Sequence, residues 1–143
     1  MRTRVLFAVF LSSIAAGCQT STSDKDLVYR KPGEAVSLAA ETRGAFRKEP
    51  VKVLWIDPRT PAEFAKGHLP QAVNLPFPEI EKQHEVACKG FDAYIVYDTD
   101  YDDVMAKAAA KRLIELGYRN VYCILGGLKA WQADGNPVVT GAR

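Results

Sequence analysis

Ala93-Tyr-Ile-Val-Tyr97, then Asp98-Thr-Asp-Tyr-Asp-Asp103, then Val104-Met-Ala-Lys-Ala-Ala-Ala-Lys-Arg-Leu-Ile-Glu-Leu116 is one continuous stretch that changes character twice. Its first part is apolar, rich in β-branched and aromatic residues and bounded by polar turn residues, which is the pattern of a strand buried in a parallel sheet. In its last part Met105, Ala109, Leu113 and Leu116 fall on one helical stripe. Lys107, Lys111 and Glu115 face elsewhere, and Gly117 stands where a C′ glycine ends a helix. Between the two, a loop at the carboxyl end of a strand opens onto a helix N-terminus. Open α/β sheets bind ligands there, and the helix end favours anions. The loop offers Asp98, Asp100, Tyr101, Asp102 and Asp103 as ligand candidates and contains no Cys, Ser or His.

The flanking sequence repeats this strand–helix alternation. Upstream, Val51 to Asp57 reads as a strand. Thr60, Pro61 and Glu63 are a good N-cap, N1 and N3 for a short helix that Gly67 ends. Ala72 to Leu75 reads as a strand, Pro76 and Pro78 break the chain, and Glu79 to Ala87 reads as a polar helix. Glu34 to Arg47 is weakly amphipathic and reads as helix, with a short strand at Val36-Ser-Leu38 as the alternative. Downstream come a strand over Asn120 to Leu125, Gly126-Gly127, a helix through Trp131 and a turn at Asp134 to Pro137. The alternation predicts an α/β fold: a central parallel sheet with helices on both faces.

The N-terminus carries an address. Met1-Arg-Thr-Arg4 is basic, and Val5 to Ala16 is apolar but too short to span a bilayer. Ile14-Ala-Ala-Gly-Cys18 resembles the lipobox of bacterial lipoproteins, with Ala15 in place of the usual Leu. A plain secretory signal is the second reading. The lipobox implies a signal peptide over residues 1–17 and lipidation of Cys18. A flexible tether over 18–33 and a folded domain over 34–143 complete the expected division. Gln19 after the Cys resembles an outer-membrane destination, with the domain facing the periplasm. Of 19 Lys and Arg, loss of Arg2 and Arg4 leaves 17, against 17 Asp and Glu. This balance gives no preference for nucleic acid. An oxidising compartment permits a Cys88–Cys123 disulfide, but Cys123 in the middle of a strand reads first as a small buried hydrophobe.

Two stretches together resemble the rhodanese-like domain family. One is Ile56-Asp-Pro-Arg-Thr-Pro-Ala-Glu-Phe-Ala-Lys-Gly-His-Leu-Pro-Gln-Ala-Val-Asn-Leu-Pro76. The other is Gly117-Tyr-Arg-Asn-Val121 with Gly126-Gly-Leu-Lys-Ala-Trp131 and Gly135-Asn-Pro-Val138. The resemblance runs from about residue 35 to 140 and implies that family's three-layer fold. It marks Asp57, Arg59, Glu63, His68, Gly126, Gly127 and Trp131 as structural motif residues. It also places Asp98 where active members carry a nucleophilic Cys. Here the loop's Gly is missing, and the loop or the first helical turn is two residues longer. The resemblance, with this departure, implies a protein that has no catalytic residue and acts by binding a protein or small ligand. The alternatives are sulfur transfer through Cys88, Cys123 or a partner's persulfide, and Ca²⁺ held by Asp98, Asp100 and Asp102. The aspartates alternate as in a calcium loop, but Asp103 and Ala109 stand where an EF-hand needs Gly and Glu. Asp98-Thr-Asp100 also resembles the nucleophile motif of the haloacid-dehalogenase phosphatases, whose other motifs are absent. No further cofactor is expected.

Overall fold

The computed structural model describes residues 21–43, 49–102 and 104–141. After a 3₁₀ turn at Asp24–Asp26 the elements are β1 (Val28–Arg30), α1 (Pro32–Ala40), β2 (Thr42–Arg43), β3 (Glu49–Pro50) and β4 (Val53–Asp57). They continue with α2 (Pro61–Lys66), β5 (Ala72–Asn74), a 3₁₀ turn at Phe77–Glu79 and α3 (Ile80–Ala87). The chain ends with β6 (Ala93–Val96), α4 (Met105–Glu115), β7 (Val121–Ile124) and α5 (Gly127–Ala133). Five strands form one sheet in the order β1-β7-β6-β4-β5, and every pairing in it is parallel. β2 and β3 form a separate antiparallel pair.

Side chains alternate across the central strands and divide the core in two. Leu54, Ile56, Tyr94, Val96, Val121 and Cys123 pack with Ile80 of α3 and with Ala106, Ala109, Ala110 and Leu113 of α4. Trp55, Ile95, Tyr97 and Ile124 pack on the other face with Ala35 of α1, Phe64 of α2 and Leu128 and Trp131 of α5. β6 is buried along its whole length between β4 and β7. A parallel sheet covered on both faces requires this, and it explains the uninterrupted apolar run that opens the sequence reading.

Three expectations need correction. The tether is shorter than 18–33: Leu27 is buried, Val28–Arg30 pairs with Tyr122–Ile124, and Pro32 is the first residue of α1. A three-residue edge strand is too short to show periodicity, so its residues read as linker. The helix expected over 34–47 spans Pro32–Ala40 instead: Pro32 at N1 and Glu34 accepting from the Lys31 N–H at 3.0 Å start it early, Thr42–Arg43 is already strand, and Val36-Ser-Leu38 lies inside the helix. The buried stripe of α4 is Ala106, Ala109, Ala110 and Leu113, while Met105 and Leu116 are half-buried. Cys88 and Cys123 are both free and buried, in line with the reading of Cys123 as a buried hydrophobe and without the disulfide that export would permit. Among the described residues no helix is long and apolar enough to cross a membrane. The expected signal peptide and Cys18 lie outside the described residues.

Candidate functional site

β6 delivers Tyr97 and Asp98 to the carboxyl edge of the sheet. Tyr97 is fully buried, and its hydroxyl accepts from the Leu69 N–H at 3.2 Å. Asp98 is only 3 % exposed, and its Oδ2 accepts from the Ala106 N–H at 2.9 Å, in the first turn of α4. The N-cap residue of α4, Val104, makes no side-chain cap, so Asp98 supplies the anion that a helix N-terminus favours. The loop backbone also serves α5. The carbonyls of Asp98 and Thr99 accept from the N–H groups of Leu128 and Lys129 at 2.8 and 3.0 Å. Gly127 makes this approach feasible, since a Cβ there would lie 2.5 Å from the Asp98 carbonyl oxygen.

Asp100 turns outward. Its Oδ1 accepts from the Asp102 N–H at 3.1 Å and its Oδ2 from Lys129 Nζ at 2.6 Å, and that hydrogen bond raises the Lys129 pKa. Tyr101, 63 % exposed, lies against Gly126, and Asp102 is exposed. Asp103 lies outside the described residues. Among the described residues, no three of His, Cys, Asp and Glu converge to hold a metal ion. The Asp98 carboxylate is already engaged by the first turn of α4 and the Asp100 carboxylate by Lys129, so a calcium ion would have to displace both partners. Millimolar Ca²⁺ should therefore leave the melting temperature unchanged. An upward shift of a few degrees, lost in Asp98→Asn/Asp100→Asn, would restore that reading.

A cavity of about 250 Å³ opens beside this loop, lined by Tyr29, Asp98, Asp100, Tyr101, Lys107 and Cys123 among others. Sequence reasoning missed Tyr29, Lys107 and Lys129, and it read Cys123 first as a buried hydrophobe in mid-strand rather than as a wall of this cavity. The run Leu27-Val-Tyr29 before Pro32 is the one signal that could have recruited Tyr29. Cys123 is 1 % exposed, with Sγ 3.9 Å from the Ala106 carbonyl, and burial together with Asp98 pushes its pKa up to about 12. Cys88 lies at the other end of the strands, where burial pushes its pKa up to about 11.

Both raised values act in one direction. The folded state holds thiol protons that the unfolded state releases above about pH 9, so their stabilising contribution is full below that pH and fades as pH rises through 11 and then 12. In a Cys18→Ala chain at pH 8, a disulfide reagent such as Ellman's should find both thiols silent in the native state and reactive in guanidinium. Fast native reaction at Cys123 would show an activated thiolate.

The motif residues do structural work. Arg59 grips Asp57 with Nε to Oδ1 at 2.9 Å and a second nitrogen to Oδ2 at 2.5 Å, and it reaches the Gly67 carbonyl at 2.8 Å. Burial works against the Arg59 charge, but the Asp57 hydrogen bond and charge more than offset it and raise its pKa. Glu63 closes the capping box with Thr60. His68 stacks on Phe64, with Nδ1 2.9 Å from the Phe64 carbonyl, and the Trp131 indole N–H donates to the Pro137 carbonyl.

Comparison with known proteins agrees with this architecture. A sulfurtransferase of Allochromatium vinosum is 36% identical over 87 residues, 61% of this chain and 78% of that protein. The thiosulfate sulfurtransferase of Pseudomonas aeruginosa superposes with a TM-score of 0.64 at 27% identity, covering 80% of this chain and 20% of that one. A rhodanese from E. coli solved with anions gives 0.53 at 30% identity, covering 62% of this chain and 99% of that one. The rhodanese-like domain model matches residues 38–134. That span takes in every strand of the central sheet except β1, and the chain belongs to the rhodanese-like domain family.

Proposed function

We propose that this is a rhodanese-type domain that does not transfer sulfur. On this reading it binds a protein or small ligand at the strand-end loop, held at the periplasmic face of an outer membrane by a lipid on Cys18. The observation that carries the first part is Asp98. It follows the strand from which active members of the family present their Cys, and its carboxylate already occupies the N-terminus of α4. A carboxylate cannot carry a sulfane sulfur. It also repels an anionic donor and disfavours a neighbouring thiolate. After incubation with thiosulfate, intact-mass measurement should find no sulfur added to the purified protein. A persulfide-sized increase would overturn the reading.

One observation favours a second reading. Cys123 lines the same cavity as Asp98, so a persulfide on Cys123 is the route by which sulfur transfer would run. Loss of an added sulfur in Cys123→Ser would establish it.

The anchor rests on the basic start, the apolar run and Ala-Ala-Gly-Cys18. Cys18→Ala should release the chain from membranes or block its processing. Unaltered membrane fractionation with normal processing would contradict lipidation.

A further inference from the structure

We propose that the end of the domain opposite the loop is a membrane-apposed surface for anionic phospholipid headgroups, so that residues 98–102 face away from the bilayer. This rests on the lipid-anchor reading and adds to it a surface and an orientation.

The length of the connection carries the first half. Only Gln19 to Ser21 separate Cys18 from Thr22, whose backbone N–H donates to Glu115 Oε1 at 3.4 Å. Asp24 then pairs with Lys111, Ser23 caps the following turn, and Leu27 enters the core. Four Cα steps reach at most about 14 Å. A lipidated Cys18 therefore leaves this end of the domain no room to leave the headgroup region.

Topology says which end that is. α4 starts beside the loop and runs back about 16 Å over its 11 residues, so Glu115 lies at the amino ends of the strands. From Ala93 to Asp98 the rise along β6 is also about 16 Å. The anchor and the loop thus sit at opposite ends of the sheet.

Charge supplies the occupant. The turns entering β1, β4, β6 and β7 present Lys25, Lys52, Lys89 and Arg119, all exposed. None of them forms an ion pair among the described residues. Acids at the same end are engaged: Asp26 in the Ser23 cap, Glu115 with Arg112, and Asp92 with the Lys52 backbone N–H. Glu41 and Glu49 are exposed where the chain approaches β4, and Glu85, on the last turn of α3, faces outward as well. Beside it Val86, 84 % exposed, is the most open of the large apolar side chains described. Basic side chains near an anionic leaflet add to membrane affinity, and a single acyl chain alone binds only marginally.

The test uses the full lipidated protein, purified in detergent and returned to vesicles of phosphatidylethanolamine with phosphatidylglycerol. Val86→Cys and Tyr101→Cys report the two ends, since Cys88 and Cys123 are buried. A membrane-impermeant maleimide should label Tyr101→Cys equally fast in vesicles and in detergent. It should label Val86→Cys at least about fivefold more slowly in vesicles, with the protection reduced when phosphatidylglycerol is omitted. Vesicle association without selective protection of Val86→Cys would overturn the orientation while leaving the anchor intact. Protection that ignores phosphatidylglycerol would overturn the anionic-lipid assignment. A wild-type chain that carries no lipid and stays soluble would overturn the anchor and this surface together.

Discussion

Asp57→Ala is expected to lower the unfolding free energy by about 3–5 kcal/mol and the melting temperature by more than about 10 °C. Asp57 is wholly buried, and its carboxylate takes three hydrogen bonds from Arg59: backbone N–H at 3.0 Å, Nε at 2.9 Å and a terminal nitrogen at 2.5 Å. Without it the guanidinium keeps its charge in a site that is only 5 % exposed, with the Gly67 carbonyl as its remaining oxygen partner among the described contacts. Arg59→Ala strands the carboxylate in the same way. Because each single change leaves a buried charge uncompensated, the double variant should lose less than the sum of the two. Thermal melting of all three variants checks this. Strict additivity, or single-variant melting within a degree of wild type, would mean that the pair is not coupled as its geometry implies.

Gly127→Ala should rank close behind, with a loss of about 3 kcal/mol. Gly127 has φ +57°, where a side chain is strained, and an added Cβ would meet the backbone of Asp98 and Thr99 at 2.5 to 2.9 Å. Those atoms cannot rotate away as a side chain could. Relief requires moving the loop, which breaks the bonds from Leu128 and Lys129 to the Asp98 and Thr99 carbonyls. Left-handed strain costs of order 1–3 kcal/mol, and overpacking a tight contact costs a similar amount. Urea unfolding measures the loss. A change below about 1 kcal/mol would show that the loop is free to move, and with it the seat of Asp98.

What the sequence made legible follows from the range of its signals. The central strands and the helices after them were readable because buried parallel strands give unbroken apolar runs, and caps such as Thr60-Pro61 and Gly117 punctuate helices locally. β1 was not readable. Its three residues gain their place from pairing with Tyr122–Ile124, which is far away in the chain. In the loop, the identity of Asp98 and its place after a strand were plain, but the group it caps was not. The Asp98–Ala106 bond, the Asp100–Lys129 pair and the shared cavity of Tyr29 and Cys123 depend on how β1, α4 and α5 converge. The corrected α4 stripe has a related cause. The inward face of α4 is built mostly of Ala, which marks a buried stripe less plainly in sequence than Met105 and Leu116 do, and the close packing of Ala106, Ala109 and Ala110 onto the sheet decides the face.

The account turns on whether an aspartate at the head of α4 has replaced sulfur chemistry. Thiosulfate:cyanide sulfurtransferase turnover addresses that directly, with the full-length protein set beside Asp98→Cys and a graft of a short Cys-x-x-Gly-x-Arg loop in place of residues 98–103. The account predicts no turnover above buffer for wild type. Asp98→Cys alone should add none, because the longer loop displaces the N–H donors a persulfide needs and such constellations tolerate errors of only about 0.5 Å. The graft should exceed both. Turnover by wild type that disappears in Cys123→Ser would contradict the central claim and place the nucleophile in the cavity wall.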